Sequence, residues 1–127
     1  AKRLGIEANV KFEGKQEDAL SFYKTADLYL STSLFEGYSR SLIEAAAAGC
    51  TILSTRVGPI GEVLIEERDV LTCEGNDGKC FKEKIEKLIL DQELRKKLAE
   101  NAKKTALNKA ISKDEYLASY KKAIIGD

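Results

Sequence analysis

The sequence predicts an α/β fold, a layer of parallel strands covered by helices, and three observations lead there. Short apolar segments of strand length, Leu28-Tyr29-Leu30, Thr51-Ile52-Leu53-Ser54 and Val70-Leu71-Thr72-Cys73, alternate with stretches of helical periodicity. That alternation, with right-handed crossovers, builds a Rossmann-like parallel sheet. Residues 39–49 are apolar on almost every side, so the helix they form must be buried. The third observation is size: 127 residues with 43% hydrophobic content supply the core of one domain or a piece of one.

Each element follows from local pattern. Residues 9–13 alternate apolar and polar, with Val10 and Phe12 on one face and Gly14 at the end, which predicts a short strand and turn. Glu17 and Asp18 place negative charge at a helix start, and Ala19, Leu20, Tyr23 and Ala26 at helical spacing predict its buried stripe. Leu28-Tyr29-Leu30 is then a buried strand that delivers Ser31, Thr32 and Ser33 to its C-terminal end, where ligands collect in open parallel sheets. Beyond Gly49 and the strand at Ile52, residues 56–62 read as a structural turn. After the strand at Leu71, one helix is marked by Phe81, Ile85, Leu88 and Ile89, and a second, beginning near Asp91, by Leu94, Leu98 and Ala102. Lys96, Lys97, Lys103 and Lys104 read as a solvated face. Ser112-x-x-Glu115 is a capping box opening a last helix, with Tyr116, Tyr120, Ala123 and Ile124 on its apolar side.

Composition narrows the chemistry. Twenty-one basic and twenty-one acidic side chains cancel, leaving no global field to steer nucleic acid or an anionic membrane. Cys50, Cys73 and Cys80 form neither a paired framework nor the close pairs of a zinc site, so they read as reduced, buried or incidental thiols in a cytosolic setting. Histidine is absent, which removes the usual general base and every triad built on it. No run of eighteen apolar residues and no signal-peptide pattern occurs, so the expected location is cytoplasmic. Opening at Ala1 and lacking methionine, the chain reads as an excised fragment.

The stretch from Phe35 to Gly49 carries the candidate site. It joins a polar loop containing Glu36 and Gly37 to the apolar helix, and Glu44 lies eight residues after Glu36. A buried carboxylate without a hydrogen-bonding partner costs several kcal/mol, so something polar is expected there. The first-turn amides of the helix lack partners within it and carry the positive end of its dipole, a site that suits phosphate. Eight positions span roughly 12 Å along a helix, enough to place one carboxylate on each side of a diphosphate. Hydroxyl, diphosphate, hydroxyl describes a nucleotide diphosphate sugar. Two plainer readings stand beside this one: Ser41-x-x-Glu44 also fits a capping box, and Glu36 before Gly37 also fits a loop acid beside a turn glycine. Tyr38 reads as a lid or a packing residue.

At these residues the chain resembles the C-terminal, donor-binding domain of the retaining GT-B fold glycosyltransferases, the group 1 glycosyl transferases of Glu-x7-Glu type. The motif reads Ser33-Leu34-Phe35-Glu36-Gly37 through Glu44-Ala45-Ala46-Ala47-Ala48-Gly49. The resemblance extends over about residues 4–106, taking in Val10-Lys11-Phe12-Glu13-Gly14, Ala26-Asp27-Leu28-Tyr29-Leu30-Ser31 and Asp91-Gln92-Glu93-Leu94-Arg95. It implies that residues 1–127 are a partial donor-binding domain, an incomplete C-terminal half of such an enzyme. On this resemblance Glu36 is the catalytic carboxylate and holds hydroxyls of the donor sugar, while Glu44 holds the ribose diol. The amides of Gly37, Tyr38, Ser39, Arg40 and Ser41 meet the diphosphate, and Gly14 and Lys15 lie near the nucleobase. It implies no metal and no cofactor, a nucleotide diphosphate sugar as substrate, and sugar transfer with retention in glycan biosynthesis.

The sugar or lipid-linked acceptor would bind through an N-terminal domain that the chain does not contain, and peripheral attachment at the membrane stays open for the whole protein. Two strands and a helix that supply a basic pair in the family are also not in the chain, so the fragment alone is expected to be inactive. The Val10 strand is then expected either to pair with the Leu28 strand or to leave an edge that recruits a second copy. The sequence departs from the family pattern at Gly58-Pro59-Ile60-Gly61, where paired glycines are usual, and at Glu67-Arg68-Asp69, where a glycine-containing turn is usual. The alternative from another class is a noncatalytic Rossmann-like binding or interaction module in which Glu44 only caps its helix.

Overall fold

The computed structural model describes residues 1–125. Two short 3-10 turns, Lys2–Leu4 and Glu7–Asn9, precede helix α1 (Ala19–Thr25) and strand β1 (Tyr29–Ser31). Helix α2 (Arg40–Ala48), strand β2 (Ile52–Thr55) and strand β3 (Leu71–Cys73) follow. Helices α3 (Gly78–Leu90), α4 (Gln92–Lys109) and α5 (Lys113–Ile125) complete the described chain. The sheet is parallel in the order β1-β2-β3, with Leu53 opposite both Leu30 and Leu71, so each strand presents its C-terminal end at the same edge.

Local chemistry explains the helices. Asp18, Asp77 and Asp91 each accept a hydrogen bond from the third residue of the helix that follows, satisfying one orphan amide of α1, α3 and α4. α5 opens on the expected capping box, with Glu115 accepting from the Ser112 amide at 2.7 Å and Ser112 Oγ accepting from the Glu115 amide at 3.2 Å. α2 ends at Gly49, whose φ of 83° lies in the left-handed region that a C-terminal cap requires.

Packing divides at the sheet. On one side Leu42, Ala45 and Ala46 of α2 meet Ile52, Leu64, Val70 and the α4 residues Ala102 and Ala106. On the other, Leu53, Leu71 and Cys73 meet Leu88 of α3 and Leu98 of α4. β2 is buried at all four positions, as a central strand covered on both faces must be.

Four expectations fail. Residues 10–13 form no strand; β1 pairs only with β2, and Phe12 is 86% exposed. An alternating pattern folds as a strand only where another strand satisfies its amides, and none lies beside this segment. The apolar stripe of α1 is not buried: Tyr23 is half-covered while Leu20 and Ala26 are exposed, because α1 packs against the core through Tyr23. β1 is an edge strand rather than a buried one, with Leu30 45% exposed. Finally, Cys73 and Cys80 are joined in a disulfide between the end of β3 and the first turn of α3, their Cα atoms 5.9 Å apart. The reading of three reduced thiols is corrected for this pair, because a turn folds the seven-residue separation back on itself. Cys50 remains a buried thiol, and burial pushes its pKa up.

Candidate functional site

α2 points its N-terminus at the edge where the strands end. Ser39 is the residue before its first turn and makes no side-chain cap bond. Its hydroxyl is engaged elsewhere: Ser39 Oγ and Ser41 Oγ share a hydrogen bond at 3.1 Å, and Tyr29 Oη donates to Ser41 Oγ at 2.9 Å. The helix start is therefore held by a chain of hydroxyls anchored in β1. No side-chain oxygen caps its first-turn amides, which keep their capacity for an outside acceptor.

The two carboxylates sit to either side of this start in sequence. Glu36 is half-buried in the loop after β1 and accepts from Ser33 Oγ at 2.9 Å. Glu44 is half-buried within α2, and its contact is Arg40 Nη2 at 3.6 Å, one turn earlier. The capping box at Ser41 does not form: Ser39, not Ser41, precedes the helix, and Glu44 does not fold back onto the Ser41 amide. The side chain of Arg40 and the backbone of Gly37 face solvent.

Glu44 also belongs to an aromatic neighbourhood that the sequence reading missed. Burial raises the Tyr23 pKa, and the nearby Tyr29 and Glu44 raise it further. The Tyr23 and Tyr29 rings meet edge to face at 5.5 Å. Tyr23 lines a cavity of about 250 Å³ together with Glu13, Gly14, Gln16, Ala19 and Phe22. Gly14 shares this cavity with Tyr23, whereas Lys15 is exposed and lies outside its lining. Tyr38, 63% exposed, borders a separate cavity of about 210 Å³ with Ile43, Ala47, Val63 and Leu107, so it packs at the α2–α4 seam.

The loops after β2 and β3 close on the same edge. Gly58, at φ 60°, lies so near the start of α2 that a Cβ there would stand 3.0 Å from the Ser39 nitrogen. A Cβ on Gly75 would stand 2.8 Å from Leu34 Cδ2 in the Glu36 loop. Residues 56–62 are held as the structural turn expected: Arg56 Nε pairs with Glu66 at 2.7 Å, and Glu66 also accepts from Thr72 Oγ1 at 2.7 Å. The Thr72 hydrogen bond first, and then Arg56, hold the Glu66 carboxyl below its usual range.

Comparison with known proteins identifies the family and the fold. The family model for glycosyl transferases group 1 matches residues 1–105, and the chain belongs to that family. N-acetyl-alpha-D-glucosaminyl L-malate synthase of Bacillus anthracis is 34% identical over 104 residues, covering 82% of this chain and 27% of that protein. Among solved structures, the C-terminal domain of the group 1 glycosyl transferase LpcC from Francisella tularensis superposes with a TM-score of 0.74 at 24% identity, over 85% of this chain and 57% of that one. Anabaena HepE in complex with UDP-glucose superposes with a TM-score of 0.86 at 23% identity, over 97% of this chain and 35% of that one. The fold is that of a GT-B C-terminal domain, and the chain spans about a quarter to a third of the length of the curated relatives it matches.

Proposed function

We propose that this chain is the donor side of a retaining glycosyltransferase that takes its sugar from a nucleotide diphosphate sugar. The observation that carries the reading is the α2 start, uncapped by any side chain, with Glu36 in the loop before it and Glu44 one face further on. The amides of residues 37–41 would receive the diphosphate and stabilise the charge that develops as the anomeric C–O bond breaks. Glu36, oriented by Ser33, would hold hydroxyls of the donor sugar, and Glu44 would hold the ribose diol. Gly14, which lines a cavity with Tyr23, would border the base. The acceptor hydroxyl would form the new bond to the anomeric carbon and pass its proton to the departing diphosphate oxygen, which leaves as the nucleoside diphosphate. Backbone amides take up the charge in this reading, which assigns no part to a metal ion or other cofactor. The acceptor, sugar or lipid-linked, would be held by the portion of the protein outside this chain.

A noncatalytic module in which Glu44 serves only as a helix cap loses its support, since Glu44 makes no cap. The test is Glu44→Gln in the full-length protein, with calorimetry against nucleotide sugars and a thermal melt in parallel. We expect donor affinity to fall about tenfold or more, with little change in melting temperature, since Glu44 contributes only a partly exposed i,i+4 pair. A variant that melts earlier yet binds donor like the parent would overturn the assignment.

A further inference from the structure

We propose a second anion site, for a phosphate group, in the cavity between the turn before β3 and the outer face of α4. The cavity, about 410 Å³, is lined by Arg68, Asp69, Asn101, Lys104, Thr105, Asn108 and Lys109, and shares no residue with the 36–44 segment. Five of these residues fall at spacings of three and four along α4 and so make one helix face. Every one of the five carries a hydrogen-bond donor.

The wall opposite is built rather than incidental. Asp69 is fully buried and accepts from both Arg68 Nε and Arg68 Nη2 at 2.8 Å, and from the Ile65 amide at 2.9 Å. Arg68 Nη2 also reaches Thr105 Oγ1 at 3.0 Å, and Asn101 Nδ2 donates to the Arg68 carbonyl at 2.9 Å. The guanidinium is thereby fixed in one orientation: Nε and Nη2 are given to Asp69 and Thr105, and Nη1, on a side chain that is 56% exposed, is the donor left over. Lys104, Lys109 and the Asn108 side chain make no hydrogen bond or ion pair among the described residues, so their donors are available.

The charges do not cancel. Arg68 and Asp69 neutralise each other, which leaves the two lysines; the C-terminal end of α4 offsets only about half a charge of these. In a chain whose net charge is zero, this is a local positive excess in a concave, donor-lined place. The ligand class is a phosphate monoester or diester, either free in solution or on a lipid headgroup.

The experiment uses the full-length protein and its Lys104→Gln/Lys109→Gln double variant, whose substitutions are on the exposed helix face and spare the Arg68–Asp69 pair. One arm titrates inorganic phosphate by calorimetry; the other measures cosedimentation with phosphatidylcholine vesicles containing phosphatidylglycerol, beside vesicles without it. Saturable phosphate binding that weakens about tenfold in the variant supports the site and assigns it a soluble ligand. Binding confined to the anionic vesicles and lost in the variant supports the site and assigns it a headgroup. No binding in either arm, or binding undiminished in the variant, overturns the proposal.

Discussion

Asp69 is the residue on which the most depends and to which the sequence draws the least attention. In the sequence it is only the last of three charged residues that stand where the family has a glycine-containing turn, and the turn that brings its oxygens back to the Ile65 amide makes it a buried anchor. Burial alone would raise its pKa; the hydrogen bonds from Arg68, the Ile65 amide and Thr105, together with the charge of Arg68, outweigh that and hold it below the usual range. The sign for stability follows from this. A carboxyl whose pKa is lower in the folded than in the unfolded chain stabilises the fold fully above the unfolded value, about 3.9, and the contribution is lost as pH falls through the folded value. Asp69→Asn should therefore cost about 2 kcal/mol at neutral pH, since it leaves Arg68 without its counter-charge. It should also flatten the acid side of the stability profile. Urea unfolding of parent and variant between neutral pH and pH 3 measures both, and parallel profiles would contradict the role given to this carboxylate.

At the scale of elements, two glycines at the site edge make opposite predictions. Gly58 combines a φ of 60° with a backbone neighbour, Ser39 N, that cannot swing aside. Gly58→Ala should cost about 1–2 kcal/mol from the left-handed conformation alone, and should push on the start of α2 and so weaken donor binding as well. Gly75 would meet only the end of Leu34, a flexible side chain that is 66% exposed, so Gly75→Ala should stay within about 0.5 kcal/mol of the parent. Thermal melts and donor titration of the two variants side by side check the contrast; equal effects would refute it.

The same scale shows what was legible in the sequence. α3 and α4 were readable because burial on one face leaves a period in the chain, and α2, β2 and β3 because burial on most sides leaves a short apolar run. The 10–13 segment has the period and lacks the partner, and alternation alone cannot report whether a neighbouring strand is present. The Cys73–Cys80 bond was hidden for a related reason, since it depends on how the turn between β3 and α3 is folded. In the site, Glu36, Glu44 and the helix start were visible as a motif, whereas Tyr23, Tyr29 and Gly58 enter through contacts between elements that no local pattern records.

For the whole molecule the question is what one cleft wall can do by itself. The site edge is open: Phe35 is 85% exposed and Tyr38 63%. α5 carries Tyr116 stacked on Tyr120 at 6.2 Å with both residues more than half exposed, so its apolar side is likewise uncovered among the described residues. Transfer between two bound sugars depends on holding them in attack geometry, and such positioning supplies about 7–11 kcal/mol of a barrier. On the function proposed above, one wall would bind a donor without fixing an acceptor and so forfeit most of that, a loss of about five to eight powers of ten in rate at 1.4 kcal/mol per tenfold. The isolated 127-residue chain is therefore expected to transfer no sugar to any acceptor, even where it binds a nucleoside diphosphate. Purified chain, incubated with a panel of nucleotide sugars and assayed for released nucleoside diphosphate and for a glycosylated product, checks this directly. Release above a protein-free blank, abolished by Glu36→Ala, would show that the acceptor side is dispensable and that the donor wall alone holds the chemistry.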